Sequence, residues 1–248
     1  MPGSDMGKVS IIGHGNFGRL LAVHLAPHAE VVVHDAAPIQ NLVPGTRSVE
    51  LTEAASAETV ILAVNVQHLE AVLGAIAPTL SRNALVADVC SVKVEPIEAM
   101  LRILPEHARI LGTHPLFGPQ SVAEKGLPDQ RLAICPVRID EEQQRRTIAF
   151  LRDTLRLDVI ETSPEEHDRQ MSLVQALTHL VGHAAAELRL EDLPLGTLAY
   201  RRLRQLAMNI SGDSEELFDA IQSRNRFAAE IRARFVDAVE NVRRRAGD

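Results

Sequence analysis

Residues 8–18 read KVSIIGHGNFG, a short apolar run followed by glycines spaced as G-x-G-x-x-G. The apolar run predicts a β-strand. The amphipathic segment FGRLLAVHL, which begins with the last two residues of the quoted stretch, predicts a helix. A glycine-rich turn between a strand and a helix is typical of dinucleotide-binding folds, in which a pyrophosphate binds at the helix N-terminus. We therefore expect Gly13 to form the tight turn, Gly15 to admit the pyrophosphate, and Gly18 to allow close packing of helix and strand.

An acidic residue at the end of the second predicted strand indicates which dinucleotide binds. The segment EVVVHD ends at Asp35, whose carboxylate can accept hydrogen bonds from the adenosine ribose hydroxyls and would repel a 2′-phosphate. NAD is therefore predicted over NADP. A glycine turn from another nucleotide or flavin fold is the alternative, and the combination of strand, loop, helix and carboxylate disfavours it. The predicted cofactor site also includes Asn16, Phe17, Ala63, Val64 and Asn65.

Predicted strands and helices alternate through the first two-thirds of the chain. This alternation predicts crossover connections and an α/β fold, with a Rossmann-type, doubly wound and mainly parallel sheet covered by helices on both faces. The predicted strands cover residues 8–12, 30–34, 59–64, 84–89, 108–111, 132–135 and 158–161. The predicted helices cover residues 17–25, 67–77, 94–104 and 141–155.

The pattern changes at Ser163-Pro164-Glu165-Glu166, which combines an N-cap serine, a proline at the first helical position and a glutamate three residues after the cap. From this helix start onwards the sequence predicts only helices, at about residues 165–188, 195–209 and 214–245. A second start signal, Asp213-Ser214-Glu215-Glu216, opens the last of them. We therefore predict a Rossmann domain over residues 1–163 and an all-helical domain over residues 164–248.

Composition and charge argue against several classes of protein. The net charge of −7 argues against a broad nucleic-acid-binding surface, and apolar runs of only strand length predict no membrane span. The first residues, MPGSDMGKVS, lack the apolar core of a signal peptide, which predicts a cytoplasmic protein. Cys90 and Cys135 are then expected to be reduced thiols, with Cys90 buried and inert. No metal site is predicted.

Two further segments follow predicted strands at the edge where doubly wound sheets bind their ligands. Ser91 lies in DVCSVK and His114 in GTHPLFGP, so both are candidates for a site near the nicotinamide. A loop histidine without function is the usual alternative, but Pro115 and the Phe-Gly-Pro at 117–119 predict a stiff corner, which suits a side chain held in place. Lys93 is expected either to complement an anionic substrate or to be solvated.

The segments GHGNFG, DVCSVK, GTHPLFGP and EHDRQMSLVQALTHL, in this order, resemble the prephenate/arogenate dehydrogenase family of tyrosine biosynthesis. The resemblance extends from about Lys8 to the 220s. It implies an NAD(P)-binding domain followed by a helical domain that dimerises and completes the active site. It also implies a catalytic histidine at His114 and a hydrogen-bonding serine at Ser91.

The activity that the resemblance implies is the oxidative decarboxylation of a cyclohexadienyl substrate, prephenate or arogenate. Hydride leaves C4 for NAD, the C4 hydroxyl loses its proton to neutral His114, and loss of carbon dioxide restores the aromatic ring. Ser91 orients the imidazole. The partners implied are this small-molecule substrate and a second copy of the chain.

The predicted helix 165–188 is apolar on most of its sides, which predicts burial and supports a homodimer. It also carries one polar stripe, formed by Asp168, Ser172, Gln175, His179 and His183. Such polar groups need partners when buried. We expect Gln175 and His179 to bind the substrate, the resemblance placing His179 there, and His167, Asp168 and His183 to form structural pairs.

The chain departs from the family pattern in one respect. Prephenate-using members commonly carry an arginine about one helical turn before the aspartate that opens the last helix, and residues 207–210 before Asp213 contain none. Either an arginine among Arg201, Arg202 and Arg204 binds the substrate carboxylate, or the substrate differs.

Three alternatives therefore remain open. A relative could act on a 4-amino-4-deoxy analogue of prephenate in a secondary pathway. A 3-hydroxyacid dehydrogenase shares the two-domain plan but usually relies on a lysine in its helical domain, and residues 162–248 contain no lysine. A catalytically silent NAD-binding module is the third, and the presence of both Ser91 and His114 argues against it.

Overall fold

The computed structural model describes residues 7–247, which form two compact units. The first unit ends at Pro164 and the second begins at Glu165, within two residues of the boundary predicted from the sequence. Among the described residues, no helix combines the length and the apolar character needed to cross a membrane.

The first unit is built on one eight-stranded sheet with the strand order β3-β2-β1-β4-β5-β6-β7-β8. Every neighbouring pair is parallel except β6 and β7, which are antiparallel. The order reverses between β1 and β4, the position at which doubly wound sheets open a crevice for ligands. The strands are β1 (Lys8–Ile12), β2 (Glu30–His34), β3 (Thr46–Ser48), β4 (Thr59–Leu62), β5 (Leu85–Asp88), β6 (Arg109–Pro115), β7 (Arg131–Arg138) and β8 (Asp158–Glu161).

Helices cover both faces of this sheet, as the alternating sequence pattern predicts. In β2, three consecutive valines from Val31 to Val33 are at most 2% exposed, which requires cover on both sides because successive side chains point to opposite faces. The helices are α1 (Asn16–Leu25), α2 (Leu51–Ala55), α3 (Val66–Ile76), α4 (Val94–Ile103), α5 (Pro119–Lys125) and α6 (Glu141–Ala149), which a π-helical segment, Phe150–Thr154, continues.

Three short elements, β3, α2 and α5, were not predicted. The strand β3 has only three residues, two of them exposed, so it shows no periodicity that the sequence could reveal. The helix α5 begins at Pro119 with Gly118 at its N-cap. A proline cannot continue a helix, but its missing N–H costs nothing at the first position, so the Phe-Gly-Pro segment starts a helix here.

The strand β6 is longer than predicted, and His114 therefore does not lie on a corner. It pairs with Ala133 of β7, and the next residue, Pro115, pairs with Leu132. The antiparallel partner strand extends β6 beyond its apolar run, which is a long-range effect that the local sequence does not show. His114 is thus held by sheet pairing, and the prediction of a stiff turn at this histidine is wrong.

The second unit contains only helices among the described residues, as predicted, but their boundaries differ. The predicted helix 165–188 is divided into α7 (Pro164–Met171), a π-helical segment (Ser172–Leu177) and α8 (Thr178–Glu187). The remaining helices are α9 (Leu198–Ile210), α10 (Glu215–Gln222) and α11 (Ala228–Ala246). Pro164 begins α7 with Glu165 and Glu166 in its first turn, as the start signal predicts, and the Ser214 hydroxyl caps α10.

The predicted helix 214–245 is interrupted between α10 and α11, where Asn225 makes one tertiary and one local hydrogen bond. Its Nδ2 donates to the Asp168 carbonyl oxygen at 2.8 Å, and its Oδ1 accepts the Phe227 N–H at 2.9 Å. Local helix propensity carries no information about the Asp168 partner, which is distant in sequence. The prediction of one continuous helix is therefore wrong.

Candidate functional site

The glycine loop has the geometry that the motif predicts. Gly13 has φ of +103°, and a Cβ there would fall on the Ala63 carbonyl oxygen. A Cβ on Gly18 would fall on the carbonyl oxygen of Gly13, so this position allows α1 to pack closely. Gly15 has no heavy atom within 4 Å of an ideal Cβ position, so the backbone at this point is open to a ligand.

The N-terminus of α1 adds to this opening. The helix begins at Asn16 with Gly15 as its N-cap, and no side-chain hydrogen bond caps its first turn. The first backbone amides are thus available to an anion, and the helix dipole favours negative charge at this end. These features fit the diphosphate of a dinucleotide.

Asp35 follows β2 directly and lies against the glycine loop. Its Oδ2 accepts the His14 N–H at 2.6 Å and its Oδ1 accepts the Ala37 N–H at 2.9 Å. A carboxylate has about four lone-pair positions, so two remain for the hydroxyls of a ribose. The negative charge at this place repels an added phosphate, which fits NAD.

The residues that follow β4 complete this end of the sheet. The Ala63 N–H donates to the Ile12 carbonyl oxygen at 2.7 Å, and Asn65 is the N-cap of α3. Val64 lies between them, beside the position where a Gly13 side chain would be. Residues 63–65 therefore lie next to the glycine loop, as predicted.

A buried ion pair joins the ends of β5 and β6. Lys93 and Asp88 are both completely buried, and the Lys93 ammonium pairs with the Asp88 carboxylate while also donating to the Thr113 carbonyl oxygen. The Thr113 hydroxyl in turn donates to the Asp88 carbonyl oxygen. Both sequence-based expectations for Lys93, a substrate contact and a solvated side chain, are therefore wrong. A lysine can be buried here because the carboxylate compensates its charge.

Ser91 and His114 follow this ion pair at the same edge of the sheet. Asp88 of β5 is in register with Gly112 of β6. Ser91 lies three residues after Asp88, and His114 lies two residues after Gly112. Ser91 is half-buried and His114 is 5% exposed. The parallel sheet thus brings both candidates to its carboxyl edge, where the glycine loop also lies.

Two neighbours of these residues help to define the site. Burial raises the pKa of the Cys90 thiol, and the Asp88 carboxylate adds to this effect, so the thiol stays protonated and inert as predicted. The rings of Phe17 and Phe117 lie 6.1 Å apart, which connects the first turn of α1 with the segment after β6.

In the second unit, part of the predicted polar stripe has an internal structural role. His167 Nδ1 lies 2.7 Å from Asp168 Oδ1, and both side chains are buried, which confirms the predicted structural pair. The Ser172 hydroxyl donates to the Arg169 carbonyl oxygen. Because a π-helical segment follows, the stripe does not continue at regular α-helical spacing, and Gln175 lies half-buried within that segment.

Another part of the stripe forms a cluster that the sequence did not predict. His179 and His183 lie near Asp213, with His179 Nδ1 3.0 Å from Asp213 Oδ2. Burial lowers the pKa of His179; Asp213 opposes this effect and His183 adds to it, so the neutral imidazole is favoured. The structural pairing predicted for His183 stays a prediction: its ring packs edge-on against Phe218, and its Nε2 has no hydrogen-bond partner.

The three arginines considered as substitutes for the absent family arginine differ in exposure. Arg201 and Arg202 are exposed, whereas Arg204 is half-buried and its Nε donates to the Leu190 carbonyl oxygen at 3.2 Å.

Models of two protein families match parts of the sequence. The one described as "Prephenate dehydrogenase, nucleotide-binding domain" matches residues 29–156, and the one described as "TYRAAT1-like, C-terminal domain" matches residues 184–246. Arogenate dehydrogenase 2, chloroplastic, of Arabidopsis thaliana is 32% identical over 96% of this chain and 69% of its own length. Arogenate dehydrogenase 1, chloroplastic, of the same plant is also 32% identical over 96% of this chain, which spans only 39% of that protein.

Solved structures show the same fold. Prephenate dehydrogenase from A. aeolicus, in complex with hydroxyphenyl propionate and NAD+, superposes with a TM-score of 0.75 over 97% of this chain and 90% of its own, at 17% identity. Synechocystis arogenate dehydrogenase superposes with a TM-score of 0.71 over 97% and 93% of the two chains, also at 17% identity.

Proposed function

The chain belongs to the prephenate/arogenate dehydrogenase family, and we propose that it catalyses the NAD-dependent oxidative decarboxylation of arogenate or prephenate in tyrosine biosynthesis. One observation carries this proposal: a buried histidine, His114, shares the carboxyl edge of the sheet with the open glycine loop and Asp35. Relatives named arogenate dehydrogenase support arogenate as the first substrate to test.

The residues of the first unit suit the binding of NAD. The amides at the start of α1 and the open backbone at Gly15 would hold the diphosphate, and Asp35 would accept the ribose hydroxyls. Asn16, Phe17 and residues 63–65 would line the same cleft. When bound, the nicotinamide supplies the hydride acceptor.

His114 is proposed as the catalytic base. Hydride loss from C4 would leave a protonated carbonyl unless a base accepts the hydroxyl proton, and a neutral imidazole can do so. Ser91, at the same edge, would orient the ring. The new carbonyl then withdraws electrons as the ring carboxylate leaves as carbon dioxide and the ring becomes aromatic.

The substrate contacts proposed from the helical unit are His179 and Gln175. The neutral imidazole of His179 can donate or accept a hydrogen bond, and Gln175 offers both an amide donor and an acceptor. We propose that one of Arg201, Arg202 and Arg204 binds the substrate carboxylate. Each is replaced by alanine in turn, and the replacement of the binding arginine should raise KM for the substrate.

We further propose that the chain forms a homodimer through its helical unit. Helix 165–188 was expected to be buried, yet Leu173 and Val174 are 51% and 62% exposed, and several valines of α11 are exposed as well. Such apolar side chains on one unit favour a second copy as cover. The buried, reduced thiol of Cys90 supports a reducing, cytoplasmic location.

The decisive experiment is a substrate panel with the purified chain. Prephenate, arogenate and the 4-amino-4-deoxy analogue are each offered with NAD and with NADP, and NADH or NADPH formation is measured. We expect turnover with NAD and arogenate or prephenate. Turnover of the amino analogue alone would reassign the substrate, and no turnover at all would favour the catalytically silent module.

A matched pair of variants then tests the base. His114→Asn should lower turnover by about 10²-fold or more while NAD affinity is unchanged, because the glycine loop and Asp35 hold the dinucleotide. Ser91→Ala should lower turnover less. His107→Asn, at an exposed position, is the control. A His114→Asn variant with wild-type turnover would rule out the proposed mechanism.

A further inference from the structure

The cluster of His179, His183 and Asp213 brings together three side chains that are common metal ligands. His179 and His183 lie one turn apart on α8, and Asp213 lies in the loop between α9 and α10. One ligand atom from each lies within 4.8 Å of the other two. The two histidines lie on the same face of α8, because they are four residues apart in a helix.

Close packing of two helices positions the aspartate. A Cβ on Gly182 would fall on the end of the Ile210 side chain, so α9 packs closely on α8 at this glycine. Gly182 lies between the two histidines in sequence, and Asp213 lies just beyond Ile210, where its N–H donates to the Ile210 carbonyl oxygen at 3.0 Å. The packing therefore places the carboxylate beside both imidazoles.

The polar atoms at the centre of the cluster lack hydrogen-bond partners. His179 Nδ1, His183 Nε2 and Asp213 Oδ2 are all buried, and each makes no hydrogen bond in the described chain. Buried polar atoms are normally bonded, and three such atoms at one point are costly to keep. His179 Nδ1 and Asp213 Oδ2 approach to 3.0 Å but without the geometry of a hydrogen bond.

We propose that His179, His183 and Asp213 bind a divalent transition-metal ion of the zinc class. Two imidazole nitrogens and one carboxylate oxygen are a known ligand set for zinc, with a fourth position open to water. Zn–N bonds of about 2.0–2.1 Å place ligand atoms roughly 3.3 Å apart, a separation that small side-chain rotations within this cluster would reach.

The chemistry of the cluster selects among cations. Calcium and magnesium prefer oxygen ligands, so two imidazoles disfavour them. The ion would also neutralise the half-buried Asp213 carboxylate and tie α8 to the loop before α10.

This site goes beyond the proposed dehydrogenase function and does not depend on it. The ion uses the buried Nδ1 of His179, so the substrate contact proposed above would use the other ring nitrogen. Hydride transfer to NAD requires no metal, so metal binding and turnover can be measured separately.

The test uses the purified chain after treatment with a chelator and desalting. Zinc is titrated by calorimetry, and cobalt is added as a spectroscopic probe, because tetrahedral nitrogen and oxygen ligation gives visible absorption. We expect one ion per chain and a higher unfolding temperature with zinc. His183→Gln and Asp213→Asn should each weaken zinc binding at least tenfold. Replacing a residue that only hydrogen-bonds to a metal ligand already weakens metal binding by about tenfold or more.

The control is His107→Gln, which changes an exposed histidine of the first unit and should bind zinc as the wild type does. Circular dichroism of each variant excludes unfolding as the cause of lost binding. Failure to bind one zinc ion per chain, or equal binding by wild type and both cluster variants, would overturn the proposal. Metal-free protein that turns over arogenate or prephenate but never binds zinc would refute this site alone. Protein that binds one zinc ion, but turns over no substrate when it is metal-free, would refute the dehydrogenase alone.

Discussion

A single buried lysine, Lys93, holds together the edge at which the candidate catalytic residues lie. Its ammonium compensates the charge of Asp88 and donates a hydrogen bond to the Thr113 carbonyl oxygen near the end of β6. Lys93→Met should destabilise the protein by about 3–5 kcal/mol, because a buried carboxylate is left without its partner. Urea unfolding measures this change, with Lys125→Met at an exposed position as the control.

A double variant tests whether the unpaired charge causes the loss of stability expected for Lys93→Met. Asp88→Leu combined with Lys93→Met removes both charges, and it should recover part of the lost stability because an apolar pair can replace a buried ion pair. A Lys93→Met variant as stable as Lys125→Met would show that the pair contributes nothing to this edge of the sheet.

At the same scale, Asp35 is proposed to determine the choice between NAD and NADP. Asp35→Ser with Ala36→Arg removes the negative charge that repels a 2′-phosphate and adds a cation beside it, so the ratio of kcat/KM for NAD to that for NADP should fall by at least tenfold. Asp153→Ser, at an exposed position away from the loop, should leave the ratio unchanged. A wild-type enzyme that uses NADP as efficiently as NAD would contradict the assignment.

At the scale of secondary-structure elements, Asn225 determines where α10 ends and α11 begins. Asn225→Ala removes its bonds to Asp168 and Phe227, and the loss should be about 1–3 kcal/mol because the buried Asp168 carbonyl oxygen loses a donor. Thermal unfolding of this variant is compared with that of Asn241→Ala, which lies on the exposed surface of α11. Equal stability of the two variants would mean that another contact interrupts the helix.

The elements also show what the sequence could reveal. Strands β1, β2 and β8 have the predicted bounds, and Gly13 and Asp35 lie where the motif requires, because local spacing determines them. The extension of β6 through His114 depends on pairing with β7, and the Lys93 ion pair depends on a β-sheet register that local sequence does not show. The same holds for Asp213, whose proximity to His179 follows from the packing of Gly182 on Ile210.

At the scale of the whole molecule, the exposed apolar side chains of the helical unit predict association. Val236, Val239 and Val242 recur every three residues along α11 and are 55%, 48% and 62% exposed. Residues at this spacing lie on one side of a helix, and a contiguous apolar strip of this kind is uncommon on the surface of a monomer.

We therefore expect a dimer in dilute solution by sedimentation velocity. Val239→Glu places a charge within the strip, and burying it at an interface without a partner is costly, so this variant should sediment as a monomer. Arg234→Glu changes charge at an exposed position of the same helix outside the strip, and it should remain dimeric. If the wild type is a monomer, or if Val239→Glu dimerises as tightly as Arg234→Glu, this surface of α11 is not the interface, and the exposed valines need another partner.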